Sequence, residues 1–483
     1  MIDIDTQLTP ADLAPALEQF WEISGNKVAG LIETYPPESG TPVFTVDGRY
    51  TAQGWTEWTQ GFQFGCAILQ FDGTDEEKFL HMGRERTIAH MAPHLSHVGV
   101  HDHGFNNVST YGNLLRLMNE GRIDENIRER QFYELALKMT GAVQAARWTK
   151  VVDGLGYIYT FNGPHSLFAD TIRTIRALTL SYQLGHVLMG EQDEQIDLLK
   201  RGLQHAETTA RYNVFFGNGR DFYDIRGRVA HETVFNPTNG TYRCTNTQQG
   251  YSPFTTWTRG LSWILSGYPE LVEYLETVDE SLFENLLPQI YPDKQTVLDR
   301  FVEVSEAVAD FYIEHSTTDG IVYWDSGAPG LAKMGDYLNR TADPFNEYEP
   351  VDSSSGAISA QGMLRLGRYL KRRGEAEKGQ RYFQAADWIR QHAESDAVVA
   401  CRKPFLMHLV SDRKTVSYPW GSPPEVASGL REAGADLARD LQRLLGLPQR
   451  PCNLRGEACG PRRRLTRPRS RSCPLRDPCS DLP

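Results

Sequence analysis

Two stretches of the chain set carboxylates where they could do chemistry. In GVHDHGFNN, residues 99–107, Asp102 stands between His101 and His103. Neighbouring residues on an extended chain point to opposite sides, so the two imidazoles would share a face only with Asp102 turned away. A zinc centre needs three or four converging ligands, and no HExxH or CxxC motif supplies partners. The expectation is therefore a site without metal. By position alone, Asp102 would cap a helix starting near Asn106. In FADTIRTI, residues 168–175, Asp170 would likewise be a first-turn residue answering a helix dipole. Arg259 and Trp263, four residues apart in WTRGLSW, share one face of a helix.

The elements that must position these residues follow from periodicity. Charged segments starting at Thr74, Glu125, Glu191, Asp293 and Glu375 each carry an apolar stripe of helical period and a polar back. Between them lie segments richer in Gly, Ala, Ser and aromatics, such as WTQGFQFGCAILQ, TYGNLLRLM, FADTIRTIRALTLSYQLGHVL, WTRGLSWILSG and SSSGAISAQGMLRLGRYL. Scarce charge and small residues mark helices packed on most sides. With an N-terminal helix over 11–34, outer and inner helices alternate, and one more inner helix would close a double-layered toroid. The fold expected is all-α, an α6/α6 barrel. Each inner helix follows a polar, aromatic loop, and these loops would gather at one mouth of the cavity, Asp102 among them.

The chain has 483 residues, 40% of them hydrophobic, and a net charge of −12, which argues against nucleic acid as a partner. The start, MIDIDTQLTPADL, lacks the basic and apolar regions of a leader, and no run of about eighteen apolar residues offers a membrane span. A soluble, cytoplasmic protein is expected, with no membrane partner, as a monomer or weak homodimer. Cys66, Cys244 and Cys401 are too sparse for a disulfide framework, whereas Cys452, Cys459, Cys473 and Cys479 crowd the chain's end. The catalytic barrel is assigned to 1–447, with an atypical closing region over 400–447. After Trp420-Gly421 that region is too charged for a barrel wall. Residues 448–483, rich in Arg, Pro and Cys, form a tail expected to be disordered. The sequence reads as departing from an ancestral reading frame somewhere after about residue 400.

Five ordered blocks resemble the unsaturated glucuronyl hydrolases, family 88 of the glycoside hydrolases: WTQGF at 58–62, HDHGF at 101–105, FADTIRTI at 168–175, QGYSPFTTWTRGLSW at 249–263 and DSSSGAISAQGMLRL at 352–366. The resemblance covers roughly 15–400 and implies an α6/α6 barrel. It places the two essential carboxylates at Asp102 and Asp170. Trp58, His101, His231, Gln249, Arg259, Trp263 and Ser354 fall on substrate-contacting positions. The implied substrate is an oligosaccharide whose non-reducing end is a 4,5-unsaturated uronic acid left by a polysaccharide lyase. Protonation of C4 makes an oxocarbenium ion at C5, water adds there, and the hemiketal opens and releases the neighbouring sugar. No metal or cofactor is implied. Asp170 is assigned as the acid, its pKa expected to be raised by burial and by like charge. Asp102, with His101, would bind hydroxyls and hold Asp170 in register. Ser353, Ser354 and Ser355 are followed by no Lys before Lys371, so no strong preference for sulfated sugars is expected. Three rival readings are a family 105-like unsaturated rhamnogalacturonyl hydrolase, a catalytically silent oligosaccharide-binding barrel, and a lyase using Tyr111 as base.

Overall fold

The computed structural model describes residues 2–46, 49–52 and 59–395. Trp58 lies outside them, as do the expectations for the 400–447 closing region and the 448–483 tail. The chain is built from long helices: α1 Ala14–Thr34, α2 Gln60–Thr74 and α3 Glu77–His90. Helix α4 runs through His103–Asn107, a π-helical turn Val108–Gly112 and Asn113–Asn119. Then come α5 Ile127–Ala146, and α6, a 3-10 turn Ala169–Thr174 continuing into Ile175–Gln183. The series ends with α7 Leu198–Tyr212, α8 Thr258–Thr277, α9 Lys294–Glu314, α10 Ser353–Arg372 and α11 Ala376–Ser395.

Burial alternates along this series. Helices α2, α4, α8 and α10 are buried along most of their length. In α5, by contrast, the buried residues Tyr133, Ala136, Leu137, Thr140, Gly141, Gln144 and Ala145 form one stripe of helical period. Side-chain caps start several helices: Asn126 for α5, Asp197 for α7, Asp293 for α9 and Asp352 for α10 each accept from backbone N–H groups of the first turn. The main core fills the space between inner and outer helices, with Ile264, Phe301, Val304, Leu364 and Leu370 among its fully buried members. A separate small cluster takes Phe62, Phe105, Trp263 and Ile358, one each from α2, α4, α8 and α10. Four inner helices thus face a shared interior. No helix among the described residues is long and apolar enough to cross a membrane.

The inner helices touch through glycine. A Cβ on Gly61 of α2 would lie 2.3 Å from the Asn106 Cα, and one on Gly104 of α4 would lie 2.1 Å from the Arg173 carbonyl oxygen in α6. Only residues without a side chain permit these backbone approaches.

Two expectations need correction. The all-α reading omits short strands, of which one set matters here: Ser166–Phe168 pairs antiparallel with Glu232–Phe235, which pairs with Tyr242–Asn246. Also, α4 begins at His103, earlier than the Asn106 start expected for it. Its asparagines look like loop residues but are buried and bonded inside the helix packing. Asn106 Oδ1 accepts from the Gly61 N–H at 2.8 Å, and Asn107 Nδ2 donates to the His94 carbonyl at 3.2 Å.

Candidate active site

The strand pairing and the glycine contact together determine where the carboxylates meet. Phe168 is opposite Glu232 on the last rung, and the next residue continues the pairing, the Ala169 N–H donating to the His231 carbonyl at 2.8 Å. Asp170 therefore emerges beside His231 at the first turn of α6. Gly104, backed against the Arg173 carbonyl, brings the start of α4 to the same place. Asp102 occupies the N-cap position of α4, yet its side chain makes no capping hydrogen bond. Its carboxylate lies instead 3.8 Å from His101 Nε2.

His101 joins the two acids, its Nε2 donating to Asp170 Oδ2 at 3.2 Å. The second oxygen of Asp170, Oδ1, is 3.7 Å from His231 Nε2. His231 Nδ1 accepts from the backbone N–H groups of Gln248 at 3.0 Å and Gln249 at 3.3 Å, so the neutral ring carries its proton on Nε2, towards Asp170. Aromatic rings fix both imidazoles. Phe168 packs 4.4 Å from His231 and 5.6 Å from His101, Phe161 stacks on His101 at 5.7 Å, and Trp257 meets His231 edge-on at 4.8 Å. His103 points elsewhere, its Nε2 bonded to the His97 carbonyl at 2.9 Å. The extended-chain argument for these histidines fails because the chain turns into α4 between them.

Electrostatics distribute protons unevenly over this cluster. Burial opposes charge on His101, but Asp102 and Asp170 outweigh it and raise its pKa. Burial raises Asp102, the negative charge of Asp170 adds to that, and His101 opposes. Burial also pushes Asp170 upward, but the hydrogen bond and charge of His101, with help from His231, leave it below the ordinary value. This corrects the expectation that Asp170 is the raised carboxyl in the unliganded site. The resting proton belongs to His101, poised on its hydrogen bond to Asp170.

The other anticipated residues are arranged around this centre. Trp263 packs 4.8 Å from Phe105, with the Arg173 guanidinium 5.7 Å from its ring. Arg259, one turn earlier on α8, lies 3.5 Å from Asp352 Oδ2 and donates to Ser354 Oγ at 3.3 Å. Its guanidinium also lies 5.2 Å from the Trp257 ring, and that ring touches His231. Ser354 is buried and donates to Asp352 Oδ1. Gln249 is exposed and reaches the centre through its backbone N–H. Trp257 and Phe161 were not singled out in the sequence, where an aromatic beside a helix start looks like ordinary core. Tyr111 is fully buried in the main core and its hydroxyl is pushed up to about 12, so it does not serve as a lyase base. His101, Asp102 and Asp170 also offer ligand atoms within 4.8 Å of one another, the one such group among the described residues that could hold a cation.

Two expected results follow from this packing. Gly104→Ala drives a methyl group into the Arg173 carbonyl, so α4 and α6 must separate. A stability loss of about 1–3 kcal/mol is expected, with turnover falling about 100-fold from the misplaced carboxylates. A variant with wild-type melting temperature and turnover would show that this contact does not hold the site. The second concerns acid. Burial lowers His94, His103 and His231 to about 4 and His205 to about 3. Their unfolded values lie near 6.5, so between there and about 4 the unfolded chain binds more protons, and stability falls as pH falls through that window. His101, raised in the fold, acts the opposite way, one group against four. Calorimetry should show a lower melting temperature at pH 5 than at pH 7; an unchanged value would contradict the buried, neutral state of these rings.

Comparison with known proteins places the chain as a distant homologue of the unsaturated glucuronyl hydrolases, by sequence and by structure. It is 26% identical over 341 residues to the unsaturated glucuronyl hydrolase of Bacillus sp. (strain GL1), covering 70% of this chain and 74% of that protein. It is 21% identical over 315 residues to the unsaturated glucuronyl hydrolase of Formosa agariphila, 65% of this chain, and spans only 64% of that relative's length. Among solved structures, the Bacillus sp. GL1 unsaturated glucuronyl hydrolase, responsible for the degradation of glycosaminoglycan, superposes with a TM-score of 0.57 at 19% identity, over 83% of this chain and 100% of that one. A UGL variant with dGlcA-Glc-Rha-Glc gives a TM-score of 0.55 at 20% identity, over 76% and 83%. The fold is that of these α/α-barrel glycoside hydrolases. No protein-family profile matches the chain.

Proposed function

We propose that this protein hydrolyses the terminal 4,5-unsaturated uronic acid from lyase-generated oligosaccharides, with Asp170 as proton donor and Asp102 beside it. The observation that carries the reading is Asp170 held between His101 Nε2 and His231 Nε2, within reach of a second buried carboxylate. The distant homology to unsaturated glucuronyl hydrolases supports the substrate class. The first step needs an acid, and the resting pair is His101 imidazolium with Asp170 carboxylate. A sugar filling the mouth displaces water, and a drier site disfavours the separated charges. The proton then passes along the hydrogen bond from Nε2 to Oδ2, leaving neutral imidazole and neutral carboxyl. Asp170 gives that proton to C4, and positive charge develops at C5 and the ring oxygen. The two carboxylates stabilise that charge. Asp170, now ionised, takes a proton from the water that attacks C5. The C5 hemiketal opens to a ketone, which leaves a hemiacetal at C1, and its collapse to the aldehyde expels the neighbouring sugar. Arg259, partly exposed beside Asp352, would balance the uronate charge, and Trp263 and Trp58 would offer ring faces to the sugar.

The test is incubation with unsaturated disaccharides from chondroitin, heparin, hyaluronan, gellan and ulvan digests. Loss of the ultraviolet absorbance of the conjugated double bond reports turnover; no loss with any of them would reject the assignment. Protonation and hydration of an enol ether require no Lewis acid, so turnover should survive dialysis against EDTA. Inactivation reversed by added zinc or calcium would make His101, Asp102 and Asp170 a metal centre instead.

A further inference from the structure

Helix α5 ends against both carboxylate-bearing segments, and two buried polar side chains at its end, Gln144 in the last turn and Arg147 just after it, are not used by the reaction scheme. Gln144 has no exposed surface. Its Nε2 donates to the Val100 carbonyl at 3.0 Å, and its Oε1 accepts from Thr174 Oγ1 at 2.6 Å. Arg147, 5% exposed, donates to the carbonyls of Tyr159 and Thr160, both at 2.9 Å from Nη2, and to the carbonyl of Val98. Val98 and Val100 belong to the loop that delivers His101 and Asp102. Tyr159, Thr160 and Thr174 flank the segment that delivers Asp170. Each side chain therefore bonds to both segments at once. Among the described residues Arg147 makes no ion pair within 4 Å: its hydrogen bonds end on carbonyls, its guanidinium lies 4.3 Å from the Tyr159 ring, and its positive charge acts on His101 and Asp102.

We propose that Gln144 and Arg147 are positioning residues that lock the His101–Asp102 loop against the Asp170 segment, with the Arg147 cation supplying a fixed field at that junction. The proposal rests on the reading that Asp102 and Asp170 perform the chemistry. Four charged or titratable groups bear on Asp102: His101 at 3.8 Å, Asp170, Arg147 and His97. Arg147 holds down both Asp102 and His101. Removing its charge therefore lets both titrate at higher pH, and the whole pH profile moves upward. A merely structural loss would lower activity without moving the profile.

The experiment compares Arg147→Met, Arg147→Lys and Gln144→Met in the full chain, using whichever unsaturated disaccharide the wild type turns over. Arg147→Met should lose about 100-fold in kcat and shift both limbs of the profile upward, because the positive charge of Arg147 no longer holds down His101 and Asp102. Arg147→Lys keeps the charge but cannot span carbonyls on both segments, so kcat should fall about 10-fold with the limbs in place. Gln144→Met should lower kcat with KM little changed and the limbs in place. An unmoved profile in Arg147→Met, or wild-type kcat in Arg147→Lys or Gln144→Met, would overturn the proposal. Should Arg147→Met fail to fold, the other two variants decide it. Should the wild type turn over none of the sugars, the functional reading fails separately. A substrate-free NMR titration then tests the inference: the His101 ring should titrate at higher pH in Arg147→Met than in wild type, and an equal value would reject it.

Discussion

The Asp170→Asn protein is expected to fold and to lose at least about 1,000-fold in kcat, because general acid catalysis alone contributes about 10²–10⁴ and the same group also deprotonates water. The substitution keeps the shape of the side chain at the strand-to-helix junction and its contact with His101 Nε2, with one amide in place of one carboxylate. Binding depends mainly on groups it leaves intact, so KM should change far less than kcat. The melting temperature should stay close to wild type, since His101 can shed its proton when its ionised partner is gone. Steady-state kinetics on purified protein decide the matter, and turnover within tenfold of wild type would exclude Asp170 as the proton donor.

Asp102→Asn should be nearly as damaging by another route. The negative charge of Asp102 raises the His101 pKa, together with the hydrogen bond and charge of Asp170. Without its charge the imidazolium loses support, and the proton store empties at lower pH. The alkaline limb of the kcat/KM profile should therefore move down, together with a fall of about 100-fold or more in kcat. A profile with its limb unmoved would show that the two groups are not coupled. The histidines offer an internal control: His101→Ala should cost far more than His103→Ala, since His103 faces the His97 carbonyl and not the acids.

Much of this arrangement is legible in the sequence, and the gaps have physical reasons. The alternation of striped and small-residue helices is visible because each helix is long enough for its period to repeat, as Tyr133, Leu137, Thr140 and Gln144 do in α5. The strand Ser166–Phe168 is not, because three residues carry no period and its partner lies far along the chain at Glu232–Phe235. That pairing is what sets His231 beside Asp170, so the residue could be named by resemblance but not placed. The lowered pKa of Asp170 is not legible for the same reason: the sequence shows two acids and their burial, but not two imidazole Nε2 atoms converging on one carboxylate. One clue was available for the clamp beneath the site. Gln144 is a polar residue on the apolar stripe of α5, and such a residue must find buried partners.

The proposed reaction adds water to C5 of an enol ether, and not to the anomeric carbon. The most direct measurement is turnover in water containing methanol as a competing nucleophile, with the product structure read by NMR before workup. Attack on the C5 oxocarbenium ion predicts a C5 methyl ketal in which the double bond is gone and the glycosidic C1–O bond is still intact. A methyl glycoside at C1 with the C4=C5 double bond retained would instead show ordinary glycosidase attack and would exclude addition at C5.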